Sequence, residues 1–375
     1  MPLTDHDERL LRRAIALARK ARFDVEPNPP VGCVIERGTE GVVGEGWTAP
    51  WGGPHAEVVA LRMAGERAEG ATAYVSLGPC GVHGKTPPCA EALIEAKVGR
   101  VVVGVADPSP AEAGAGLESL RGAGIQVDLA EGVVAREADE VLDRFRDALG
   151  RRRPWVVLKW AMSLDGRIAA ARGAGGTISG ARSRRQLHFW RAHSDAVAVG
   201  IDTALVDDPE LTCRLADGLP HDRPQPRRVV FDSKLRLPAT STMVRSAAEV
   251  PVLVVCGEDV DPARRAALES SDVAVLPVPV SDGRVDLAAA LDALYVHGVR
   301  RLLVEGGAKI HGAFLKARLA DQVSAFVAPR ILGGKDAVPA VEGSGIDTAE
   351  AMQDLEEVMW RRLGDDLLMQ GYVPR

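Results

Sequence analysis

Apolar positions along the chain fall into two alternating series of helical and extended patterns. Leu11, Ala14, Ile15, Ala18 and Ala21 share one stripe of a 3.6-residue repeat with arginines elsewhere, which predicts an amphipathic helix over Asp7 to Ala21. Asn28-Pro29-Pro30 breaks it, and Val31 to Ile35 and Val42 to Gly46 flank a glycine-containing turn, the signature of a hairpin. Val58, Val59, Leu61 and Met63 fit a packed helix started by Gly52-Gly53-Pro54, and Ala73 to Leu77 reads as a strand ended by prolines. Helix (Ala90 to Val98), strand (Arg100 to Val105), helix (Gly116 to Gly122) and strand (Ile125 to Leu129) follow, an α/β layered domain over residues 1–149.

Gly150-Arg151-Arg152-Arg153-Pro154 is polar and helix-stopping and reads as a solvated linker. Residues 150–375 then restart with a strand at Trp155 to Trp160. Strands are predicted near Ala196 to Val199, Arg228 to Phe231, Val252 to Val255 and Val273 to Leu276, and helices at Ser183 to His193 and Leu287 to Tyr295. This is a second α/β domain. Arg301 to Glu305 reads as a strand, Gly306-Gly307 as a turn and Lys309 to Leu319 as a helix, whose free N–H groups could hold a phosphate, although the same pattern is an ordinary strand-to-helix connection. Lys159, Ser163 and Asp165, and Thr203, Asp207, Asp208 and Arg214, cluster after strands, where ligands of α/β proteins bind.

Composition narrows the classes. Hydrophobic residues make up 46% of 375, enough for two cores. The formal charge is -6 and aromatics are 4%, which argues against nucleic acid as a partner. No run of 18 apolar residues occurs and the N-terminus lacks a charged segment followed by an apolar one, so a cytoplasmic protein with no membrane partner is expected, as a homo-oligomer.

The chemistry concentrates between Pro54 and Cys89. His55, Cys80 and Cys89 offer one imidazole and two thiolates, a donor set that suits zinc and leaves a fourth position open for water. Five cysteines are an odd number, and a reducing compartment disfavours a disulfide between Cys80 and Cys89. Glu57, two residues after His55, reaches the same metal only at a helix start, and it suits an acid/base that shuttles the proton of the activated water. That is the apparatus of hydrolytic deamination. His83 is the nearby candidate for a fourth ligand, which would make the zinc structural.

Over nearly its full length the chain resembles the bifunctional riboflavin-biosynthesis deaminase-reductases. Asn28-Pro29, Pro54-His55-Ala56-Glu57, Pro79-Cys80 and Thr86-Pro87-Pro88-Cys89 are similar to zinc-dependent pyrimidine deaminase motifs, and the eight residues between the cysteines point to the riboflavin branch. Lys159 to Gly166, Asp207-Asp208-Pro209, Leu211 to Arg214 and Val304 to Gly307 resemble the reductase motifs. The resemblance implies a cytidine-deaminase-like α/β/α domain followed by a dihydrofolate-reductase-like α/β domain. It implies zinc-dependent deamination of a phosphoribosylaminopyrimidine, then NADPH-dependent reduction of its ribosyl group to ribityl. Carried over by motif, Ala161, Thr177, Thr203, Asp207 and Gly307 would contact NADPH; Lys159, Arg191, Leu211, Arg214 and Glu305 would contact the reductase substrate; and Asn28, His83 and Lys85 the deaminase substrate.

One loop departs from the family, which usually reads Glu-Pro-Cys-Ser-His where this chain has Gly78, Pro79, Cys80, Gly81 and Val82. Gly81 is expected to let the loop rotate so that His83 replaces the missing histidine. The alternative reading is a reductase whose zinc domain is structural or of altered specificity.

Overall fold

The computed structural model describes residues 3–82, 87–110, 114–174, 176–215, 224–343 and 352–374. The chain divides into two compact units, Met1–Arg151 and Arg152–Arg375. No helix among the described residues is long and apolar enough to cross a membrane.

The first unit runs α1 (Asp5–Ala18), β1 (Gly32–Glu36), β2 (Val42–Trp47), α2 (Ala56–Ala64), β3 (Thr72–Leu77), α3 (Cys89–Glu95), β4 (Arg100–Val105), α4 (Ala115–Gly122), β5 (Gln126–Leu129), α5 (Gly132–Glu140) and α6 (Asp143–Leu149). Its sheet has the order β2-β1-β3-β4-β5. β1 pairs antiparallel with β2 and β3, whereas β3, β4 and β5 are parallel. Alternation along the strands separates two cores, because successive side chains point to opposite faces. Val34, Tyr74 and Val102 pack on α1 and α5. Cys33, Ile35, Ala73, Val75, Val101 and Val103 pack on the face that carries α2, α3 and α4. The predicted helices and strands of this unit all form; α5 and α6 are additional.

The second unit runs β6 (Trp155–Met162), β7 (Arg167–Ala169), α7 (Ala181–Ala192), β8 (Ala196–Gly200), α8 (Ile201–Asp207), β9 (Arg227–Phe231), α9 (Thr242–Arg245), β10 (Val252–Gly257), α10 (Pro262–Glu269), β11 (Val273–Val278), β12 (Val280–Ser281), β13 (Arg284–Val285), α11 (Leu287–Val296), β14 (Arg301–Gly306), α12 (Ala308–Lys316), β15 (Gln322–Val327), β16 (Val338–Pro339), β17 (Glu356–Leu363) and β18 (Asp366–Tyr372). Its large sheet has the order β11-β10-β9-β8-β14-β6-β15-β18-β17. The strands from β11 to β15 are parallel, and β18 and β17 add antiparallel pairs at one end. Both units are α/β, as the alternation predicts.

The arginine run between them is not simply solvated. Arg153 donates to Asp321 at 2.6 and 2.7 Å, and Asp321 also accepts from the Val156 N–H at 2.8 Å, so the segment pins the start of β6. A paired, largely buried guanidinium is structural, which composition alone did not reveal.

Candidate functional site

In the first unit, three donors meet at the ends of two helices. His55 is the N-cap of α2, with extended backbone (φ −74°, ψ 164°), and this turn into the helix brings His55 and Glu57 to the same spot although they are two residues apart. Cys89 is the first residue of α3, and Cys80 lies in the loop that follows β3. The His55, Cys80 and Cys89 donor atoms all lie within 4.8 Å of one another. His55 Nδ1 is 3.1 Å from Cys89 Sγ and 3.5 Å from Cys80 Sγ. The Cys89 backbone N–H donates to Cys80 Sγ at 3.2 Å. Such a set fits zinc: one ring nitrogen and two sulfurs, no fourth His, Cys, Asp or Glu in the group among the described residues, and thiols that lose their protons on binding. Hydrogen bonding from Cys89 and from His55 lowers the Cys80 pKa, which favours its thiolate form.

Glu57 is buried (3% exposed), and burial raises its pKa above the usual carboxylate value against the opposing pull of His55. Its carboxylate takes part in a hydrogen bond with Cys89. A carboxyl group that can both take and return a proton is thereby held beside the donors. Sequence reasoning missed Cys33, a buried thiol whose pKa rises through burial and through the charge of Glu57. It was visible only as an apolar position on β1.

The loop residues divide. Asn28 is half-buried in the turn before β1, where its N–H bonds the Val25 carbonyl at 3.0 Å. Val82 is exposed (44%), and His83 and Lys85 lie outside the described residues. Gly81 does not adopt a left-handed conformation, contrary to the expectation of a freely turning loop. Its role is close approach: a Cβ there would stand 2.4 Å from the Gly116 nitrogen, and one on Gly116 would stand 1.8 Å from the Pro79 carbonyl oxygen. The Cys80 loop therefore lies backbone-to-backbone on the start of α4.

In the second unit, the carboxyl-terminal ends of three adjacent parallel strands, β8, β14 and β6, gather the predicted residues, as expected for an open α/β sheet. Lys159 and Ala161 lie on β6, and Glu305 ends β14. Gly306 has φ 152°, a conformation side-chain-bearing residues rarely adopt, and a Cβ on Gly307 would stand 2.9 Å from Thr203 Oγ1. Thr203 of α8 thus closes a glycine cradle at the turn that opens α12, a helix start that no side chain caps. Asp207 ends α8, and burial raises its pKa. Thr177 is exposed, with its carbonyl accepting from Arg330 at 3.4 Å.

Arg191 and Glu305 grip each other. Arg191 Nε and Nη2 donate to the two Glu305 oxygens at 2.6 and 2.7 Å, and Nη1 donates to the Thr212 carbonyl at 2.8 Å. Burial alone would raise Glu305, but Arg191 outweighs it and the pKa falls. Lys159 is buried beside this pair, and desolvation lowers its pKa while Arg191 adds to the fall. Leu211 is buried with φ 53°, and Arg214 is exposed and bonded through its side chain to Glu210. His188, which sequence reasoning missed, accepts the Arg214 N–H at 3.2 Å. It sits three residues before Arg191, on the same face of α7. Two other polar candidates have partners within the chain. Asp165 accepts from Ser163 at 2.6 Å and from the Leu332 and Gly333 N–H groups, and Asp208 caps Thr242 at 2.6 and 2.8 Å.

A His/Cys/Cys centre with a buried carboxylate, joined in one chain to an α/β unit with a glycine cradle, defines a two-unit enzyme of the zinc deaminase and reductase class. Residues 4–105 match the cytidine and deoxycytidylate deaminase zinc-binding region, and residues 154–369 match the RibD C-terminal domain. The chain is 36% identical to the riboflavin biosynthesis protein RibD of Aquifex aeolicus, over 97% of each chain. It is 40% identical to that of Escherichia coli, over 87% of this chain and 89% of the relative. Among solved structures, RibD of Acinetobacter baumannii superposes with a TM-score of 0.73 at 35% identity, over 98% of this chain and 99% of the other. A diaminohydroxyphosphoribosylaminopyrimidine deaminase/5-amino-6-(5-phosphoribosylamino)uracil reductase from Thermotoga maritima does so with 0.68 at 32% identity, over 98% and 99%. The chain belongs to the RibD family of riboflavin biosynthesis, whose members join a zinc-binding deaminase domain to a reductase domain.

Proposed function

We propose that the first unit removes the 2-amino group of 2,5-diamino-6-(5-phosphoribosylamino)pyrimidin-4-one by hydrolysis, and that the second uses NADPH to reduce the ribosyl group of the product to ribityl. The observation that carries this reading is the convergence of His55, Cys80 and Cys89 within 4.8 Å beside a buried Glu57. Three ligands and an adjacent proton carrier favour catalysis over a purely structural metal.

When bound, zinc supplies a Lewis acid that makes water nucleophilic near neutral pH. His55, Cys80 and Cys89 hold it; Glu57 takes the proton of the attacking water and returns it to the departing amine, for which its raised pKa suits it. Asn28, with His83 and Lys85, orients the pyrimidine. In the second unit NADPH supplies hydride. Ala161, Thr177, Thr203, Asp207 and Gly307 hold the cofactor. Lys159, Arg191, Leu211, Arg214 and Glu305 hold the substrate, and Arg191 also fixes the Glu305 carboxylate and the Thr212 loop. Five cysteines without a disulfide suit a cytoplasmic setting.

The test separates the two sites. Glu57→Gln should lower use of the diamino substrate by about 10²-fold or more yet leave NADPH oxidation intact when the deaminated intermediate is supplied, and Asp207→Ala should do the reverse. Loss of both reactions in either folded variant would defeat the two-site reading.

A further inference from the structure

Leu211 turns the chain with φ 53°, and residues 208–215 around it belong to no helix or strand. Side chains therefore decide where this segment lies. Arg191 holds the Thr212 carbonyl at 2.8 Å. Gln225 brackets Cys213, accepting its N–H at 2.7 Å and donating to its carbonyl at 3.0 Å, and the Cys213 thiol donates to the His188 carbonyl at 3.3 Å. The last anchor is an imidazole: His188 Nδ1 accepts the Arg214 N–H at 3.2 Å. Arg191 and His188 are three residues apart on α7, so one helix face carries both.

These anchors differ in one respect. A guanidinium and a carboxamide keep their donors and acceptors across the neutral range, and burial raises the pKa of the Cys213 thiol. Only the imidazole among them changes near neutrality. Nδ1 accepts while it is unprotonated, which places the neutral ring's proton on Nε2, and a second proton would set an N–H against the Arg214 N–H. The charged groups facing the ring are Arg191 on its own helix, Arg214 on the segment and Glu305 on β14. Burial and the two guanidiniums oppose the second proton and outweigh Glu305, so the bond holds at neutral pH and is lost in acid.

We propose that His188 is a positioning residue of the reductase: its unprotonated Nδ1 fixes the Arg214 backbone on α7, and with it the segment that receives the substrate. This role rests on the reading of Arg214 as a substrate contact. With the full chain, the deaminated intermediate and NADPH, His188→Leu should raise the KM for the intermediate about fivefold to tenfold, as loss of one hydrogen bond does, and leave kcat and the NADPH KM within about twofold. Arg214→Ala should raise the same KM. His188→Asn, whose Oδ1 offers an acceptor near the same place but takes no proton, should keep the native KM at about pH 7.5. Between about pH 7.5 and about pH 5.5 the native KM should rise more steeply than that of His188→Asn, a comparison that cancels the titration of the substrate's own phosphate. Exchange of the Arg214 amide hydrogen should quicken in His188→Leu and not in His188→Asn. A native KM in His188→Leu, while Arg214→Ala raises it, would remove His188 from this role and leave Arg214 a substrate contact. A native KM in Arg214→Ala would remove both. Equal rises in the Leu and Asn variants, or parallel pH profiles of the native chain and His188→Asn, would also overturn the role.

Discussion

Arg191 and Glu305 form a two-pronged buried ion pair, with contacts of 2.6 and 2.7 Å and side chains 9% and 8% exposed. Neither partner is left in water, so each depends on the other for compensation. Glu305→Gln should therefore destabilise the second unit by about 3 to 5 kcal/mol, because it strands a buried guanidinium. The double variant Arg191→Met/Glu305→Leu should cost much less than the sum of Arg191→Met and Glu305→Leu alone, while reductase activity is lost in all of these variants. Denaturant titration followed through the second unit's tryptophans checks this, and additive costs would refute the coupling.

The metal centre gives a second prediction. His55→Ala, Cys80→Ser and Cys89→Ser each remove one of three converging donors, so metal analysis should find the zinc largely gone. Glu57→Gln should keep it and lower deamination by about 10²-fold or more, the usual worth of a placed proton carrier. Zinc loss in the Glu57 variant would make that residue a ligand rather than a base.

A third concerns Val82, whose side chain is exposed. Val82→His should change stability by less than about 0.5 kcal/mol, as surface changes do. It should raise deaminase kcat/KM through a hydrogen bond to substrate that valine cannot make. No gain at unchanged zinc content would show that this position does not face the substrate.

His311 supplies a pH dependence. It is wholly buried on α12, its Nδ1 donates to the Ala340 carbonyl at 3.1 Å, and burial lowers its pKa to about 4 from 6.5. The unfolded chain then binds the proton first as pH falls. The neutral ring's contribution is complete above pH 6.5 and is lost progressively toward pH 4, by roughly 2 kcal/mol between pH 7 and pH 5. In His311→Gln the second unit should be less stable at pH 7 but lose less on acidification, measured by urea midpoints at both values. An unchanged slope would remove His311 as the source.

Much of this was legible in the chain. The stripe of Leu11, Ile15 and Ala18, the strands around Val75, Val103 and Val304, and the His55, Glu57, Cys80 and Cys89 spacing all carry local signals, because a period or a ligand set survives in sequence. What was not legible depends on distant partners. Asp208 and Asp165 read as ligand-facing acids and instead bond Thr242 and the Leu332-Gly333 backbone. Arg153 read as solvated because Asp321 lies far along the chain. β17 escaped notice because a strand exposed on both faces has no alternation to read.

The contact between Gly81 and Gly116 sets the order in which this loop can be remade. With only 2.4 Å between a Cβ at 81 and the Gly116 nitrogen, a serine grafted at position 81 must push α4 away before it can offer its hydroxyl. The neighbouring position 82, exposed to solvent, accepts a new side chain at once. Any evolutionary or laboratory route toward a more polar loop would thus pass through 82 first, and could reach 81 only after a compensating shift in the backbone at 115 and 116.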